Sequence, residues 1–196
     1  VTAKNQENIV DKTKLRKAVF LDRDGVLNHD PGHVFRVDDL RVLSGVSSAL
    51  RRLQDAGFLL LVITNQGGIA RGKFTLSDTE KFNTALAEQI HIQSGAKIAG
   101  FFVCPHHPEG TIAELAVPCR CRKPGTLLIE QAQILHSIDL AGSFFIGDRG
   151  SDVECGIKAG MTAIQVAGER SFEKHPGAAV WLADLTEAAA WILTRP

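Results

Sequence analysis

Short apolar runs alternate with longer amphipathic stretches along the chain. Residues 18–21 (AVFL), 58–64 (FLLLVIT), 99–103 (AGFFV), 143–147 (SFFIG) and 162–166 (TAIQV) are almost unbroken in hydrophobicity, and 179–183 (AVWLA) is a weaker sixth run. A strand that is apolar at nearly every position is buried on both faces, as in a parallel sheet covered by helices. Between the runs the period changes. Val46, Ala49, Leu50 and Leu53 recur at helical spacing, and Gly57 supplies a stop. A second helix is predicted over about 77–94. Residues 124–138 open with Pro124, which suits a first helical turn, and place Leu127, Leu128, Ile134, Leu135 and Ile138 on a broad apolar face. Ser151 and Asp152 offer caps to a helix ending at Gly160, and 185–193 reads as the last helix. The alternation predicts an α/β architecture, an open parallel sheet with right-handed crossovers and helices on both faces.

In such sheets ligands bind beyond the carboxyl ends of the strands, near the switch point. Three predicted strands end in polar residues: Asp22-Arg23-Asp24, Thr64-Asn65-Gln66 and Asp148-Arg149. Asp24-Gly25 is compatible with a simple turn. Two carboxylates one residue apart can also converge on one small volume, where a divalent magnesium offsets their repulsion. One aspartate can then attack a phosphorus while the other handles the leaving group's proton. That chemistry needs a further carboxylate, a donor to phosphoryl oxygens and a cation. Asp148, Thr64 and Lys123 meet those needs, with Asp152 four residues after Asp148 at a helix start.

Composition narrows the partners. In 196 residues, 22 Lys and Arg balance 22 Asp and Glu. A zero net charge gives no long-range pull toward nucleic acid or an anionic membrane surface. No run approaches the length of a membrane span, and residues 1–17 lack the apolar middle of an export signal. The expectation is a cytoplasmic monomer: a loosely held arm over 1–16, then one domain over 17–196. No GxxxxGK[ST] sequence is present, which disfavours P-loop chemistry. A scaffold built on a degenerate enzyme fold would have lost catalytic groups, and none of Asp22, Asp24, Thr64, Lys123 or Asp148 is missing.

Of the four cysteines, Cys104, Cys119 and Cys121 fall within 18 residues, and His106 stands beside the first. Cys-x-His, twelve residues and Cys-x-Cys form an inventory for tetrahedral zinc, with His107 as competitor for the histidine place. Four protein ligands leave no room for a reactive water, so this zinc is expected to shape the loop at about 104–121. Arg122 and Lys123 follow at once, and the metal would fix them beside the phosphate. Cys155 reads as a buried, inert thiol.

DRDG, ITN, Lys123 and GDRGSD, in this order, resemble the four motifs of the haloacid-dehalogenase (HAD) superfamily of phosphohydrolases, whose fold is Rossmann-like. The resemblance implies that Asp22 forms an aspartyl-phosphate and that Asp24 acts as acid, then base. Thr64 and Lys123 would hold the transferring oxygens. Magnesium would be held by Asp22, the Asp24 carbonyl and Asp148, with Asp152 orienting them. The zinc loop fused to the third motif, with NQGGIARGKF and LDRDGVLNHDPGHV, is similar to the heptose-bisphosphate 7-phosphatase branch, close to the histidinol-phosphatases. That likeness runs from about Lys17 to Trp191. It implies a sugar-phosphate substrate, met by Asp30, Pro31, Gly32, His33, Asn65, Gln66, Gly67, Arg122 and Arg149, and a role in lipopolysaccharide biosynthesis. Arg122 beside Lys123 favours a second anionic group on the substrate; histidinol phosphate or another small phosphomonoester is the alternative. The chain departs from the branch at Arg149 (more often lysine), His33 (often tyrosine) and Val26 (often threonine). The segments after the first and second motifs are too short for a large cap domain. Arg71 and Lys73 either add cations at the mouth or belong to a solvated loop.

Overall fold

The computed structural model describes residues 15–168 and 173–195. The expected N-terminal arm thus lies outside the described residues except at its end, where Arg16 forms a parallel bridge with Ile138. Six strands, β1 (Ala18–Leu21), β2 (Leu59–Asn65), β3 (Gly100–Cys104), β4 (Phe144–Gly147), β5 (Thr162–Val166) and β6 (Val180–Leu182), form one sheet in the order β3-β2-β1-β4-β5-β6. Every neighbouring pair is parallel. The helices are α1 (Val46–Asp55), α2 (Leu76–Ser94), α3 (Leu127–His136), α4 (Gly150–Lys158) and α5 (Leu185–Leu193). The strand order reverses between β1 and β4, so the crevice at their carboxyl ends is the expected ligand site.

The unbroken apolar runs have a direct cause. Val19 and Leu21 of β1 face one core with residues of α1, α2 and α5, whereas Ala18 and Phe20 face the other with α3 and Cys155 of α4. β2 divides in the same way, Leu60 and Val62 against Leu59, Leu61 and Ile63. Period-two alternation thus feeds two apolar layers.

Three expectations need correction. β3 is an edge strand and only half-buried along Gly100–Val103, because a strand with one neighbour cannot be enclosed as β1 and β2 are. α3 begins at Leu127, so Pro124 lies in the preceding turn, where Gly125 N–H donates to Arg122 O. Its buried face is Leu128, Ile129 and Ala132, and Ile134 (82% exposed) and Leu135 (70%) point outward. α4 starts one residue earlier than expected, with Arg149 at the N-cap. Among the described residues, 22–45 hold only a 3-10 turn (Val37–Asp39) and the β2–β3 connection only α2, so neither insertion point carries a cap domain.

Candidate active site

Asp22 follows β1 directly, and its backbone N–H donates to Ile146 O of β4 at 2.9 Å. The sheet ladder therefore aims this carboxylate into the crevice. Asp148 follows β4, and Asp152 lies in the first turn of α4, where its Oδ2 accepts from Arg149 N–H at 3.0 Å. Lys123 reaches the same point from a loop. Its Nζ lies 2.7 Å from Asp22 Oδ1 and 2.8 Å from Asp152 Oδ1, and donates to Ile63 O at 2.8 Å. Asp152 Oδ1 makes a charge contact with Lys123 but no aligned hydrogen bond.

Burial pushes the Asp22 carboxyl up to about 7; Lys123 pulls it down, while Asp152, Asp148 and Asp24 push it further up. Asp148 is raised to about 6, first by burial and then by Asp152. Burial works against the charge of Lys123, yet Asp152 and Asp22 outweigh it and hold the ammonium above the ordinary lysine range. The carboxylates of Asp22, Asp148 and Asp152 lie within 4.8 Å of one another. Asp148 Oδ1 is buried without a hydrogen-bond partner, with Arg149 Nε at 3.8 Å. Crowded buried carboxylates with an unpartnered oxygen fit a hard divalent cation such as magnesium. Gly25 makes room: at its φ of +84° only glycine is unstrained, and a Cβ would come 2.9 Å from Asp148 Oδ2.

Asp24 occupies the cavity wall with four donors on its carboxylate. Oδ1 accepts from Arg23 Nε and Asn28 Nδ2 at 3.0 Å each, and Oδ2 from Arg23 Nη2 at 3.0 Å and Gln66 Nε2 at 2.7 Å. Gln66 Nε2 also donates to Thr64 Oγ1 at 2.8 Å. Asn65 faces Lys123: its Oδ1 accepts from Lys123 N–H at 2.9 Å and its Nδ2 donates to Lys123 O at 3.1 Å.

Asp22, Asp24, Thr64, Asn65, Gln66, Lys123 and Asp152 line a cavity of about 320 Å³ together with Asp30, His33, Gly67, Arg71, His107, Arg122, Arg149 and Ser151. Of the expected substrate segment 30–33, Asp30 and His33 line the cavity. Pro31 and Gly32 do not; they belong to the turn closed by Gly32 N–H on Asp30 Oδ1 at 2.9 Å. Asp30 Oδ2 also pairs with Arg149 at 2.9 Å. Lys73 is exposed and does not line the cavity.

Cys104, His106, Cys119 and Cys121 converge, with ligand atoms within 4.8 Å. Cys121 Sγ lies 3.1 Å from Cys104 Sγ, 3.3 Å from Cys119 Sγ and 3.2 Å from His106 Nδ1. All four cysteines are free. Three thiols and an imidazole at these separations fit a tetrahedral thiophilic cation such as zinc. His107 turns to the cavity instead: Arg71 Nη2 lies 3.2 Å from its Nε2 and 3.1 Å from Glu109 Oε2. Desolvation, then Arg122 and Arg71, hold His107 below its ordinary pKa. A Cβ on Gly67 would meet His107 Cδ2 at 2.9 Å and Arg122 Nη1 at 3.3 Å, so a glycine lets this cationic group close in. The sequence signal for His107 was its adjacency to His106: neighbouring side chains diverge, so one histidine at the cysteines leaves the other for the cavity. The loop carrying Arg71 is knitted to this one, because Ala70 O accepts from Thr111 N–H at 2.8 Å and Ile112 N–H at 3.0 Å. Cys155 is buried, its thiol pushed up to about 12 by burial and donating to Gly125 O.

A family model described as HAD-hydrolase-like matches residues 120–188. The D-glycero-β-D-manno-heptose-1,7-bisphosphate 7-phosphatase of Yersinia pestis is 40% identical over 181 residues, spanning 87% of this chain and 94% of its own. The Escherichia coli K12 protein of the same name is 38% identical, spanning 87% and 92%. Among solved structures, a HAD-like phosphatase from Mesorhizobium loti superposes with a TM-score of 0.81 at 31% identity, over 92% of this chain and 87% of its own. The D,D-heptose 1,7-bisphosphate phosphatase of B. bronchiseptica, complexed with magnesium and phosphate, gives 0.77 at 29% identity, over 91% and 98%. With its Asp-x-Asp strand end, its Lys123 ion-pair cluster and relatives of this likeness over most of its length, the chain belongs to the heptose-1,7-bisphosphate 7-phosphatase family of HAD-type phosphomonoester hydrolases.

Proposed function

We propose that this enzyme removes the 7-phosphate of D-glycero-β-D-manno-heptose 1,7-bisphosphate through an aspartyl-phosphate on Asp22. The observation that carries this reading is the presence, in one cavity, of two separate polar centres: the buried Asp22–Lys123–Asp152 cluster and the Arg71–His107–Arg122 group. The first suits a phosphoryl group in transfer. The second is a cationic place for another phosphate, which a sugar bisphosphate supplies and histidinol phosphate does not.

An Asp22 carboxylate oxygen attacks phosphorus, the bond to the sugar oxygen breaks, and Asp24 gives that oxygen a proton. Water then attacks the phosphorus, Asp24 takes its proton, and the bond to Asp22 breaks to release phosphate. Lys123 pulls the Asp22 carboxyl toward its ionised form and, with Thr64, supports the charge on the transferring oxygens. Asp22, the Asp24 carbonyl and Asp148 would hold magnesium, which offsets the charge of phosphate and carboxylates. Cys104, His106, Cys119 and Cys121 would hold a structural zinc. Asn65 and Gln66 act on the substrate chiefly by fixing Lys123 and Asp24, while Asp30, His33, Gly67 and Arg149 surround the sugar. The reading keeps the cytoplasm as compartment, a single chain as working unit and lipopolysaccharide heptose as pathway.

Phosphate release in magnesium from the β and α anomers of heptose 1,7-bisphosphate and from histidinol phosphate tests the reading. A dominant kcat/KM for the β anomer supports it, and Arg71→Ala should then raise KM far more for the bisphosphate than for a monophosphate. A preference for histidinol phosphate would assign the second cationic group to another use and defeat the substrate assignment.

A further inference from the structure

Arg23, between the two aspartates, is fully buried. Alternation at the strand end turns it away from the cavity that Asp22 and Asp24 line. Its guanidinium grips both oxygens of Asp24 at 3.0 Å. Its remaining contacts lie elsewhere in the fold. Nη1 donates to Asn83 Oδ1 of α2 at 3.0 Å, Nη2 donates also to Val34 O at 3.1 Å, and the Phe82 ring centroid lies 4.5 Å from Cζ. A bidentate fork fixes the plane of a carboxylate as well as its location, which a lysine point charge does not. Val34 also adjoins the turn that presents Asp30 and His33 to the cavity.

We infer that Arg23 is a positioning residue for proton transfer. It sets the carboxylate plane of Asp24, and its own place is set by α2 and by the base of the 30–33 turn. The inference rests on the reading of Asp24 as acid and base. Arg23 touches no reacting atom; the proton passes from Asp24 to the leaving oxygen as the phosphorus–oxygen bond breaks and the bond to Asp22 forms. A displaced group of this kind loses on the order of 10²-fold in rate.

The test uses the full-length enzyme with magnesium and aryl phosphates of falling leaving-group acidity, from p-nitrophenyl to phenyl phosphate. kcat/KM reports the step that expels the leaving group. In Arg23→Lys it should fall slightly for p-nitrophenyl phosphate, which needs little protonation, and about 10- to 100-fold for phenyl phosphate. In an Asp24→Asn background the same substitution should cause no further loss, because the group through which Arg23 acts is already gone. Asn83→Ala, which removes only the fork's support on α2, should show the same leaving-group trend at smaller size and serves if Arg23→Lys does not fold. Equal losses for every leaving group, or an undiminished effect in Asp24→Asn, would make Arg23 merely structural and overturn the inference. Wild-type turnover of phenyl phosphate by Asp24→Asn would remove the acid/base reading and this inference with it; an inactive Asp24→Asn with a flat Arg23→Lys profile removes the inference alone.

Discussion

Asp22 and Lys123 meet at 2.7 Å but arrive there by different means. Asp22 is one residue beyond β1 and still bonded into the sheet through Ile146, so the hydrogen-bond ladder that builds the fold also places the carboxylate proposed as nucleophile. Lys123 belongs to no helix or strand. Its backbone is held by the Asn65 amide, and two residues earlier Cys121 joins the cysteine–histidine cluster. One half of the ion pair is positioned by regular structure and the other by side chains, an amide and a thiol–imidazole cluster. The first half should survive whatever leaves the fold intact, and the second should fail whenever those side chains are disturbed.

The comparison breaks most violently at the ion pair itself. Lys123→Met leaves Asp22 and Asp152 buried without their cation, so unfolding in urea should show a loss of about 3–5 kcal/mol, with phosphate release abolished. An unchanged midpoint would mean that the two carboxylates are compensated from elsewhere. Next in size is removal of the zinc proposed at the cysteine–histidine cluster. Chelation, followed by excess magnesium, should lower kcat by about 10- to 100-fold with the far-ultraviolet circular dichroism intact, since Lys123 is misplaced while the sheet remains. Zinc should restore the rate; full activity without it would show that the loop needs no metal to place Lys123.

The proton content of the sheet half gives the third prediction. Asp22 and Asp148 titrate at about 7 and about 6 without a metal, both raised chiefly by burial. Their protons stabilise the metal-free fold at acid pH, and that contribution disappears as pH rises through these values. Magnesium needs ionised ligands, so its affinity, measured by calorimetry, should fall about 10- to 20-fold from pH 8 to pH 6. A pH-independent affinity would place the ion on other donors. The smallest effect belongs to Asn65→Ala, which should cost about 1 kcal/mol and lower kcat with KM unchanged. A raised KM at constant kcat would instead make Asn65 a direct substrate contact.

The sheet half is the more legible in sequence. Unbroken apolar runs specify parallel strands, parallel strands specify the end at which ligands bind, and Asp22, Asp24, Thr64 and Asp148 all lie at that end. The cysteine–histidine spacing likewise points to a cluster, because short-range ligand pairs must converge if both are used. What the sequence hides is non-local. Nothing in the residues around Asn65 says that its amide will close on a backbone 58 positions away. The outward turn of Ile134 and Leu135 depends on where α3 begins, and helix starts are the least certain boundary in any sequence. Arg23 is an intermediate case. Alternation says that the residue between two cavity-facing aspartates points inward, and a buried arginine must find an anion, but only the structure shows that the anion is its neighbour Asp24.

The pair of hydrogen bonds that Ala70 O accepts from Thr111 N–H and Ile112 N–H has a consequence for engineering. Because this seam joins the strip carrying Arg71 to the strip carrying His107, the two form one module in recombination. A chimera that exchanges 67–73 and 104–122 together keeps its internal seam, and one that exchanges either alone inherits mismatched halves. New substrate preferences are therefore best sought by grafting both strips at once onto the unchanged sheet.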